Sequence, residues 1–412
     1  MIIADLHIHS KYSRACSTSL DIPNLEKYAR IKGLNLLGTG DFTHPKWVKE
    51  LKENLEETDD GILKTKAGFD FILQTEVSLI YTQAGKGRRV HYIVLAPNFD
   101  VVSQINDLLS RKGRLDYDGR PMFNITTPEF VDMMMSVSKD IEIIPAHAWT
   151  PWFSLFGSNS GFDSLKDCFQ DRLGYIHSLE TGLSSDPPMN WRLSQLDGLS
   201  ILSFSDSHSF WPWRLGREAT IFDLKISYKN ILKAIRTGEG LSSTVEVDPN
   251  FGKYHLTGHR MCGVKLTPKE ALKNNNICPK CGRPLTVGVL QRVEQLADRP
   301  EGFKPKNAKP FYSVIPLSEI LAALLGRAVA TKVVWQEYNK LINHFGSEFE
   351  VLLFASYDEL KKVTDVKVAN VILKNRNHEI EISAGYDGVY GIPMFNDSNV
   401  VTKKKQKNLF DF

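Results

Sequence analysis

The chain has 412 residues, of which 42% are hydrophobic and 24% are charged, and its formal net charge is +3. This composition excludes a disordered or fibrous protein, and the length is sufficient for two or three domains with separate cores. Because there is no run of about 18 apolar residues, no signal-peptide core and only five cysteines, we expect an intracellular protein without membrane spans or a disulfide framework.

Strands and helices are predicted to alternate over the first 240 residues. Short apolar runs predict strands that start or centre on residues 2–3, 34–38, 71–77, 89–95, 141–146, 175–180 and 199–204. Helical spacing is found between most of them, at residues 20–31, 47–55, 99–111, 127–137, 189–196 and 227–236. Such alternation predicts an α/β fold with a parallel sheet and helices outside it.

Metal-binding side chains recur at or near the ends of these strands. His7 and His9 are two apart in an extended segment, so both imidazoles point to one side. The other members are Asp41, Glu76, His147, Asp206 and His208. The carboxyl ends of strands form the active sites of α/β barrels, and these N and O donors suit two or three Zn, Mn or Fe ions better than Mg alone.

This donor set indicates hydrolysis of a phosphate ester, because paired metal ions activate water and stabilise a leaving oxygen. The sequence has no Gly-rich phosphate loop, no serine elbow and no dinucleotide fingerprint that would support another chemistry. Cys16 and Cys168 are not placed to join the donors and are interpreted as core residues.

The motifs His7-x-His9, Gly-x-Gly-Asp41 and Ser-Asp206-Ser-His208 resemble those of the PHP (polymerase and histidinol phosphatase) superfamily. The resemblance implies a distorted (β/α)7 barrel with up to three metals. It implies metal ligands at His7, His9, Asp41, Glu76, His91, His147, Asp206 and His208, all but Asp41 and His91 acting in catalysis. The usual Asp-His pair reads Asp41-Phe42 here, so His44 is an open alternative, and His177 and Glu180 are further candidates.

Aromatic residues surround two of these motifs. They are Trp149, Trp152, Phe210, Trp211 and Trp213, with Arg214 and Arg217 close by in sequence. Local packing is one interpretation. The other is a stacking wall for an extruded nucleobase, with the two arginines meeting phosphate.

A small metal module is predicted at residues 246–310. His259-x2-Cys262 and Cys278-x2-Cys281 have the spacing of a structural zinc site, although His255 competes with His259 as the fourth ligand. Residues 251–310 contain 12 Lys and Arg against 4 Asp and Glu. This excess predicts contact with a nucleic-acid backbone, or a solvated basic face without a partner.

Residues 311–395 are predicted to form a mainly helical accessory domain, with helices at 317–327, 331–345, 357–363 and 366–374. Residues 396–412 are polar and predicted to be disordered. Their end resembles the sliding-clamp (PCNA) interaction motif, with Gln406, Leu409 and Phe412 in the motif positions and Phe410 beside them.

A barrel at 1–245 followed by the metal module, the helical domain and the clamp-binding tail resembles the endonuclease Q family. The resemblance implies DNA incision 5′ of deaminated bases (uracil, hypoxanthine, xanthine) and abasic sites by a nucleoid-associated cytoplasmic enzyme, with archaea as the favoured source. Damaged double- or single-stranded DNA and the clamp would be its partners. The alternatives are a small-molecule phosphoesterase and a non-catalytic nucleic-acid scaffold.

Overall fold

A computed structural model describes residues 1–395 of the chain. In chain order, its strands are β1 (Ile2–Asp5), β2 (Leu36–Gly38), β3 (Glu56–Glu57), β4 (Leu63–Lys64), β5 (Asp70–Gln83), β6 (Lys86–Ala96), β7 (Met122–Phe123), β8 (Glu142–Pro145), β9 (Ser178–Glu180), β10 (Ser200–Leu202), β11 (Ala219–Phe222), β12 (Leu241–Glu246), β13 (Thr257–His259), β14 (Val264–Leu266), β15 (Phe311–Ser313), β16 (Glu381–Ser383) and β17 (Ile392–Met394).

Its α-helices are α1 (Ile22–Lys32), α2 (Pro45–Asn54), α3 (Phe99–Ser110), α4 (Thr127–Val137), α5 (Leu165–Phe169), α6 (Pro187–Trp191), α7 (Tyr228–Thr237), α8 (Pro268–Lys273), α9 (Val289–Leu296), α10 (Leu317–Leu325), α11 (Lys332–Phe345), α12 (Tyr357–Val363) and α13 (Val366–Arg376). None of these helices is both long and apolar enough to cross a membrane.

The centre of the main sheet is parallel, as predicted. β1 pairs with β2 through Ala4 and Leu36, and β2 pairs with β5 through Leu37 and Phe71. β1 and β2 are buried throughout, which explains their continuous apolar sequence, since parallel strands are covered on both faces. The predicted α/β class is therefore confirmed.

The rest of the main sheet corrects the prediction of a purely parallel arrangement. β5 and β6 form a long antiparallel hairpin that is closed by Ala84 and Gly85, both with positive φ (51° and 73°). Two left-handed residues in a two-residue loop match the right-handed twist of the flanking strands. β6 continues antiparallel to β8, and β11 pairs antiparallel with β1 and β12. The hairpin places two metal-binding residues inside strands instead of beyond their ends.

Asp5 joins the carboxyl ends of β1 and β10. Its carboxylate accepts hydrogen bonds from the backbone N–H of Ser205 (3.0 Å), the hydroxyl of Ser205 (2.5 Å) and the N–H of Gly216 (2.9 Å). Burial raises the pKa of Asp5 to about 6. A parallel bridge between Ile8 and Ser207 follows directly. This connection holds the segment of His7 and His9 next to that of Asp206.

The metal module and the helical part both pack on the barrel. In the module, β13 pairs with β14, and a small core is formed by Val264, Ala271, Cys278 and Leu285. In the barrel sheet, β15 pairs in parallel with β12. The helices α10 to α13 follow β15, and the ion pair between Lys32 of α1 and Glu348 connects them to the barrel (2.7 Å). The helical C-terminal part is thus confirmed.

Candidate metal centre

Four predicted ligands converge on one point at the end of the barrel. His7, His9, Glu76 and Asp206 each present a nitrogen or oxygen within 4.8 Å of the others. His9 Nε2 lies 3.2 Å from Asp206 Oδ1 and 3.3 Å from Glu76 Oε2. His7 Nε2 lies 3.6 Å from Glu76 Oε1 and from Asp206 Oδ1. We call these four residues the first cluster.

A second cluster shares Glu76 with the first and adds His91 and His147. Glu76 Oε1 lies 2.8 Å from His91 Nδ1 and 3.1 Å from His147 Nε2, and the two imidazoles are 3.2 Å apart. Glu76 lies within β5 and His91 within β6, so the antiparallel hairpin supplies both. One carboxylate therefore bridges the two groups of donors.

Two carboxylates outside the clusters fix the first-strand histidines. His7 Nδ1 contacts Glu180 Oε1 at 2.9 Å, and Glu180 Oε2 accepts the backbone N–H of His147 at 2.5 Å. His9 Nδ1 contacts Asp41 Oδ1 at 3.0 Å. Each contact leaves the Nε2 atom directed into the first cluster, as in metal sites where a carboxylate orients the histidine ligand. Of the two further candidates from the sequence, Glu180 contacts a histidine of the site, whereas His177 contacts Glu142.

Three residues of the site have left-handed backbone conformations. The φ angles of Asp41, His147 and Asp206 are 44°, 30° and 48°. Such conformations cost roughly 1–3 kcal/mol each for residues with a Cβ and are retained where surrounding contacts hold them. All three residues follow the carboxyl ends of barrel strands, so the backbone strain lies at residues that either belong to the clusters or, like Asp41, orient a histidine of the first cluster.

The donor set fits divalent metal ions. Burial disfavours the charged form of His7, yet Glu180, Asp206 and Glu76 raise its pKa well above the usual value. Burial opposes ionisation of Glu76 too, but His91, Arg120 and His7 hold its pKa well below the usual range. The carboxylates therefore favour positive charge at this point, while His7 Nε2 is buried without a hydrogen-bond partner within residues 1–395. A cation bound at this point would compensate the charge of the carboxylates and would give His7 Nε2 a partner.

The remaining predicted ligands lie around the clusters. Asp41 does not reach them, because its Oδ2 accepts hydrogen bonds from Ser10 and Ser13 while its Oδ1 contacts His9. His208 lies beside His9, with ring centroids 4.2 Å apart, and burial lowers its pKa to about 4. His44 stacks on Tyr12 at the start of α2 and is not a member of either cluster.

The second metal set lies in the small module. His259, Cys262, Cys278 and Cys281 bring their ligand atoms within 4.8 Å of one another. Although burial acts to raise it, the pKa of the Cys278 thiol is lowered to about 6, chiefly by the N–H of Lys280 and by His259. A thiolate is the form that binds metal. His255 is buried elsewhere, and burial lowers its pKa to about 4. The geometry therefore favours His259.

The aromatic residues do not form the predicted wall as a unit. Trp149 is buried, donates its indole N–H to Asn190 and packs on Phe156, so it is not accessible to a base. Trp211 and Trp213 stack on each other at 5.1 Å and both contact Trp335 of α11, which lies in the helical part. Trp149 is thus a core residue, which corrects its assignment to a base pocket.

The other predicted DNA contacts differ in their accessibility. Phe210 stacks on Tyr28, whereas Trp152 is 37% exposed. Arg217 is buried and donates from Nε and Nη2 to the carbonyl of Ser205, so its assignment to a phosphate contact is wrong. Arg214 lies 3.5 Å from Glu319 of α10. The predicted clamp-binding residues Gln406, Leu409, Phe410 and Phe412 lie outside the described residues.

Sequence reasoning missed one charged residue of the site. Arg120 Nη1 lies 2.9 Å from Glu76 Oε2, and 27% of the arginine side chain is exposed. It follows α3 in an irregular segment without any motif, so no pattern in the sequence distinguishes it from the other arginines. The signal for Glu180 was its position at the end of a predicted strand.

Two solved structures are similar to this protein over nearly the whole chain. The lesion-specific endonuclease PfuEndoQ from Pyrococcus furiosus superposes with a TM-score of 0.86 at 35% identity, covering 98% of this chain and 97% of that one. An endonuclease Q complex with a 27-mer duplex substrate, which carries an abasic lesion at the active site, gives a TM-score of 0.87 at 36% identity and covers 98% of both chains.

Two further similarities concern parts of the chain. Residues 316–379 match the family described as the MJ0043 C-terminal domain. The protein MJ0043 of Methanocaldococcus jannaschii is 35% identical over 305 residues, which are 73% of this chain and 37% of that longer protein. The chain therefore spans little more than a third of the length of that relative.

The barrel, its two metal clusters and the full-length similarity define a metal-dependent endonuclease. The smaller metal set and the helical C-terminal part belong to the 98% of this chain that these two structures cover. The chain belongs to the endonuclease Q family.

Proposed function

We propose that this protein cuts DNA at the phosphodiester bond 5′ of deaminated bases (uracil, hypoxanthine and xanthine) and of abasic sites. The observation that carries the proposal is the full-length similarity to an endonuclease Q whose complex has an abasic lesion at its active site. The two clusters supply the donors that such hydrolysis requires. Bound divalent ions would supply Lewis acidity and an activated water.

The side chains of the first cluster would hold and orient these ions. His7 and His9 are fixed by Glu180 and Asp41, so their Nε2 atoms need no rearrangement before binding metal. The side chain of Asp206 is 33% exposed, while Glu76 is fully buried. The first cluster is therefore open towards solvent on the Asp206 side, which gives a phosphodiester a route of approach.

The metal module is proposed to bind zinc and to hold the DNA backbone. One histidine and three cysteines are the ligands of structural zinc sites, and such a site folds a module with too small a core to be stable alone. The basic excess of residues 251–310 favours contact with phosphates. Ser158 and Arg292 attach the module to the barrel loop that follows His147.

The deciding experiment uses end-labelled duplexes that contain one uracil, one hypoxanthine, one xanthine, one abasic site or no lesion, with Mg²⁺ or Mn²⁺ present. We expect a cut just 5′ of the lesion that is lost with EDTA and in the His7→Ala variant. His177→Ala is the matched control, because His177 contacts Glu142 away from both clusters. Hydrolysis of phosphomonoesters without incision of any duplex would refute the proposal and favour a small-molecule phosphoesterase.

We also propose that the C-terminal segment binds a sliding clamp through Gln406, Leu409, Phe410 and Phe412. The support is the resemblance of this segment to the clamp-interaction motif. Gel filtration of the full chain with an archaeal clamp should give a complex that the double variant Phe410→Ala/Phe412→Ala does not form. An unchanged elution of the wild-type chain would contradict this proposal while leaving the endonuclease proposal intact.

A further inference from the structure

Arg120 is the cation closest to the centre of the site. Its Nη1 atom lies 2.9 Å from Glu76 Oε2, the oxygen that also lies 3.3 Å from His9 Nε2. Within residues 1–395, no other lysine or arginine pairs with a carboxylate of either cluster. The side chain remains 27% exposed, so the guanidinium is positioned between the clusters and solvent.

The backbone before Arg120 is fixed against the site. The N–H of Gly119 donates to the carbonyl of Tyr12 at 3.1 Å, and the hydroxyl of Thr43 donates to the carbonyl of Gly119 at 3.2 Å. A Cβ at residue 119 would overlap the Asp41 carboxylate and the Ser13 hydroxyl, so only glycine permits this approach. Arg120 therefore follows a glycine that packs on Asp41 and Ser13, the two residues that contact His9 Nδ1.

The following contacts hold the same segment from its outer side. Asp118 accepts the N–H of Arg120 at 3.2 Å and pairs with Arg14 at 3.2 Å. The segment 118–120 is thus connected to Tyr12, Arg14 and Thr43. This degree of fixation exceeds what a surface arginine requires, and it presets the direction of the side chain.

Arg120 supplies a fixed positive charge beside a set of metal donors. Asp206, Glu76, Asp41 and Glu180 contact the histidines, and their negative charges would be compensated by bound ions, so a guanidinium at the edge of the site is available to an incoming phosphodiester. Arginine has five N–H donors in a planar fork that matches two phosphate oxygens, and the contact with Glu76 uses Nη1 only. Nε and Nη2 have no hydrogen-bond partner within the described residues, so donors remain for an anion.

We propose that Arg120 binds the phosphate that is cleaved, using the guanidinium donors that Glu76 leaves free. The inference rests on the proposed function, because it names a residue that contacts the DNA substrate of that reaction. Arg217, which the sequence suggested for this role, is engaged with Ser205, and Arg214 lies next to Glu319.

The test compares Arg120→Gln and Arg120→Lys with Arg114→Gln, a control in the same segment whose arginine is exposed and pairs with Asp116. In single-turnover incision of a lesion duplex, Arg120→Gln should lower the maximal rate at least about 100-fold, as loss of a transition-state donor does. Arg120→Lys should recover part of that rate, since it retains the charge without the fork. Arg114→Gln should match the wild type.

A binding measurement separates phosphate contact from support of Glu76. Duplexes with a phosphate or a neutral methylphosphonate 5′ of the lesion are compared by fluorescence anisotropy with Ca²⁺, after a gel has verified that no incision occurs. Calcium ions bound in both proteins favour the phosphate, so the informative quantity is the difference between them: the preference of the wild type for the phosphate should exceed that of Arg120→Gln about 10-fold, as expected for one charged hydrogen-bonding contact.

The outcomes are distinguishable. Incision by the wild type together with an undiminished phosphate preference in Arg120→Gln would overturn the inference alone, even if metal affinity changed in that variant. Failure of the wild type to incise any lesion duplex would contradict the proposed function and the inference with it.

Discussion

Glu76 is the side chain on which both clusters depend. It contacts His7, His9, His91, His147 and Arg120 while being fully buried. Burial of a carboxylate is costly unless cations and donors surround it. The histidines and Arg120 provide that compensation, so the bridging position of Glu76 and the charges around it are consequences of one another.

The orientation of His7 by Glu180 gives the first prediction. Glu180→Gln should weaken metal binding by roughly 10–100-fold, as loss of a carboxylate behind a histidine ligand does. The measurement is competition with a chelating dye. Glu246→Gln is the control, because Glu246 is an equally buried carboxyl group that contacts Thr244, Thr181 and Ser203 instead of a ligand. Equal metal affinities in both variants would show that Glu180 does not position His7.

The choice between His255 and His259 gives the second prediction. His259→Gln should lose one zinc ion per chain relative to the wild type, whereas His255→Gln should retain it. The reason is that only His259 lies with the three cysteines, 3.3 Å from Cys281 Sγ. Metal content after desalting, measured by mass spectrometry, decides the matter, and zinc loss from the His255 variant would reverse the assignment.

Two neighbouring strands of the barrel carry buried acids that affect stability. Glu246 ends β12 and Glu218 immediately precedes β11. Burial raises the pKa of Glu246 to about 8, and burial together with Glu246 raises that of Glu218 well above its usual value. Neither residue is a member of the metal clusters.

The third prediction follows from the pKa of Glu246. Between about pH 4.5 and pH 8 the folded protein binds the proton of Glu246 while the unfolded chain releases it, so stability falls as pH rises through this interval. Glu246→Gln removes that difference. Its apparent unfolding temperature should therefore fall less from pH 5 to pH 8 than that of the wild type. The exposed variant Glu239→Gln should follow the wild type, and parallel curves for all three proteins would contradict the argument.

Sequence patterns predicted the elements better than their pairing. The helix at Thr127–Val137 and the helix at Tyr357–Val363 have the predicted bounds, because apolar spacing and a capping threonine or serine define them locally. The β5–β6 hairpin was missed because Ala84 occupies a left-handed position that glycine or asparagine usually takes. The antiparallel direction of β6 was therefore not predicted, because the turn that sets it lacks the usual first residue.

The site itself was predicted where a ligand lies at or near the end of a predicted strand or belongs to a spaced motif. His7, His9, Glu76 and Asp206 converge as expected, and so do Cys262, Cys278 and Cys281. Arg120 was not found, because its position is set by contacts of Gly119 and Asp118 with residues about a hundred positions away in sequence. The two roles of Asp41 and Asp206 were also indistinguishable, since both are aspartates beyond strands, and only the fold decides which one faces the cluster.

The barrel and the helical part are connected by a buried ion pair. Lys32 Nζ donates to Glu348 Oε1 at 2.7 Å and to the carbonyl of Pro212 at 2.8 Å. Glu348 also accepts the hydroxyl of Tyr338 and the N–H of Leu317. Pro212 lies in the loop that follows Asp206 and His208. One charged contact therefore joins α1, the loop after the metal ligands and two helices of the C-terminal part.

The fourth prediction concerns this junction. Lys32→Met should destabilise the protein by roughly 3–5 kcal/mol, because the Glu348 carboxylate stays buried without its countercharge. The double variant Lys32→Met/Glu348→Gln should regain part of this loss, since it removes the unpaired charge, and the amide oxygen can still accept the N–H of Leu317 while the amide nitrogen donates to the hydroxyl oxygen of Tyr338. Lys27→Met, an exposed position on the same helix, should behave as the wild type.

Urea unfolding supplies the free energies, and limited proteolysis should cut the single variant first around residues 326–331, between α10 and α11. If the double variant were no more stable than Lys32→Met, the charge would not be what holds the two parts together, and the contacts of Trp335 with Trp211 and Trp213 would have to account for their docking.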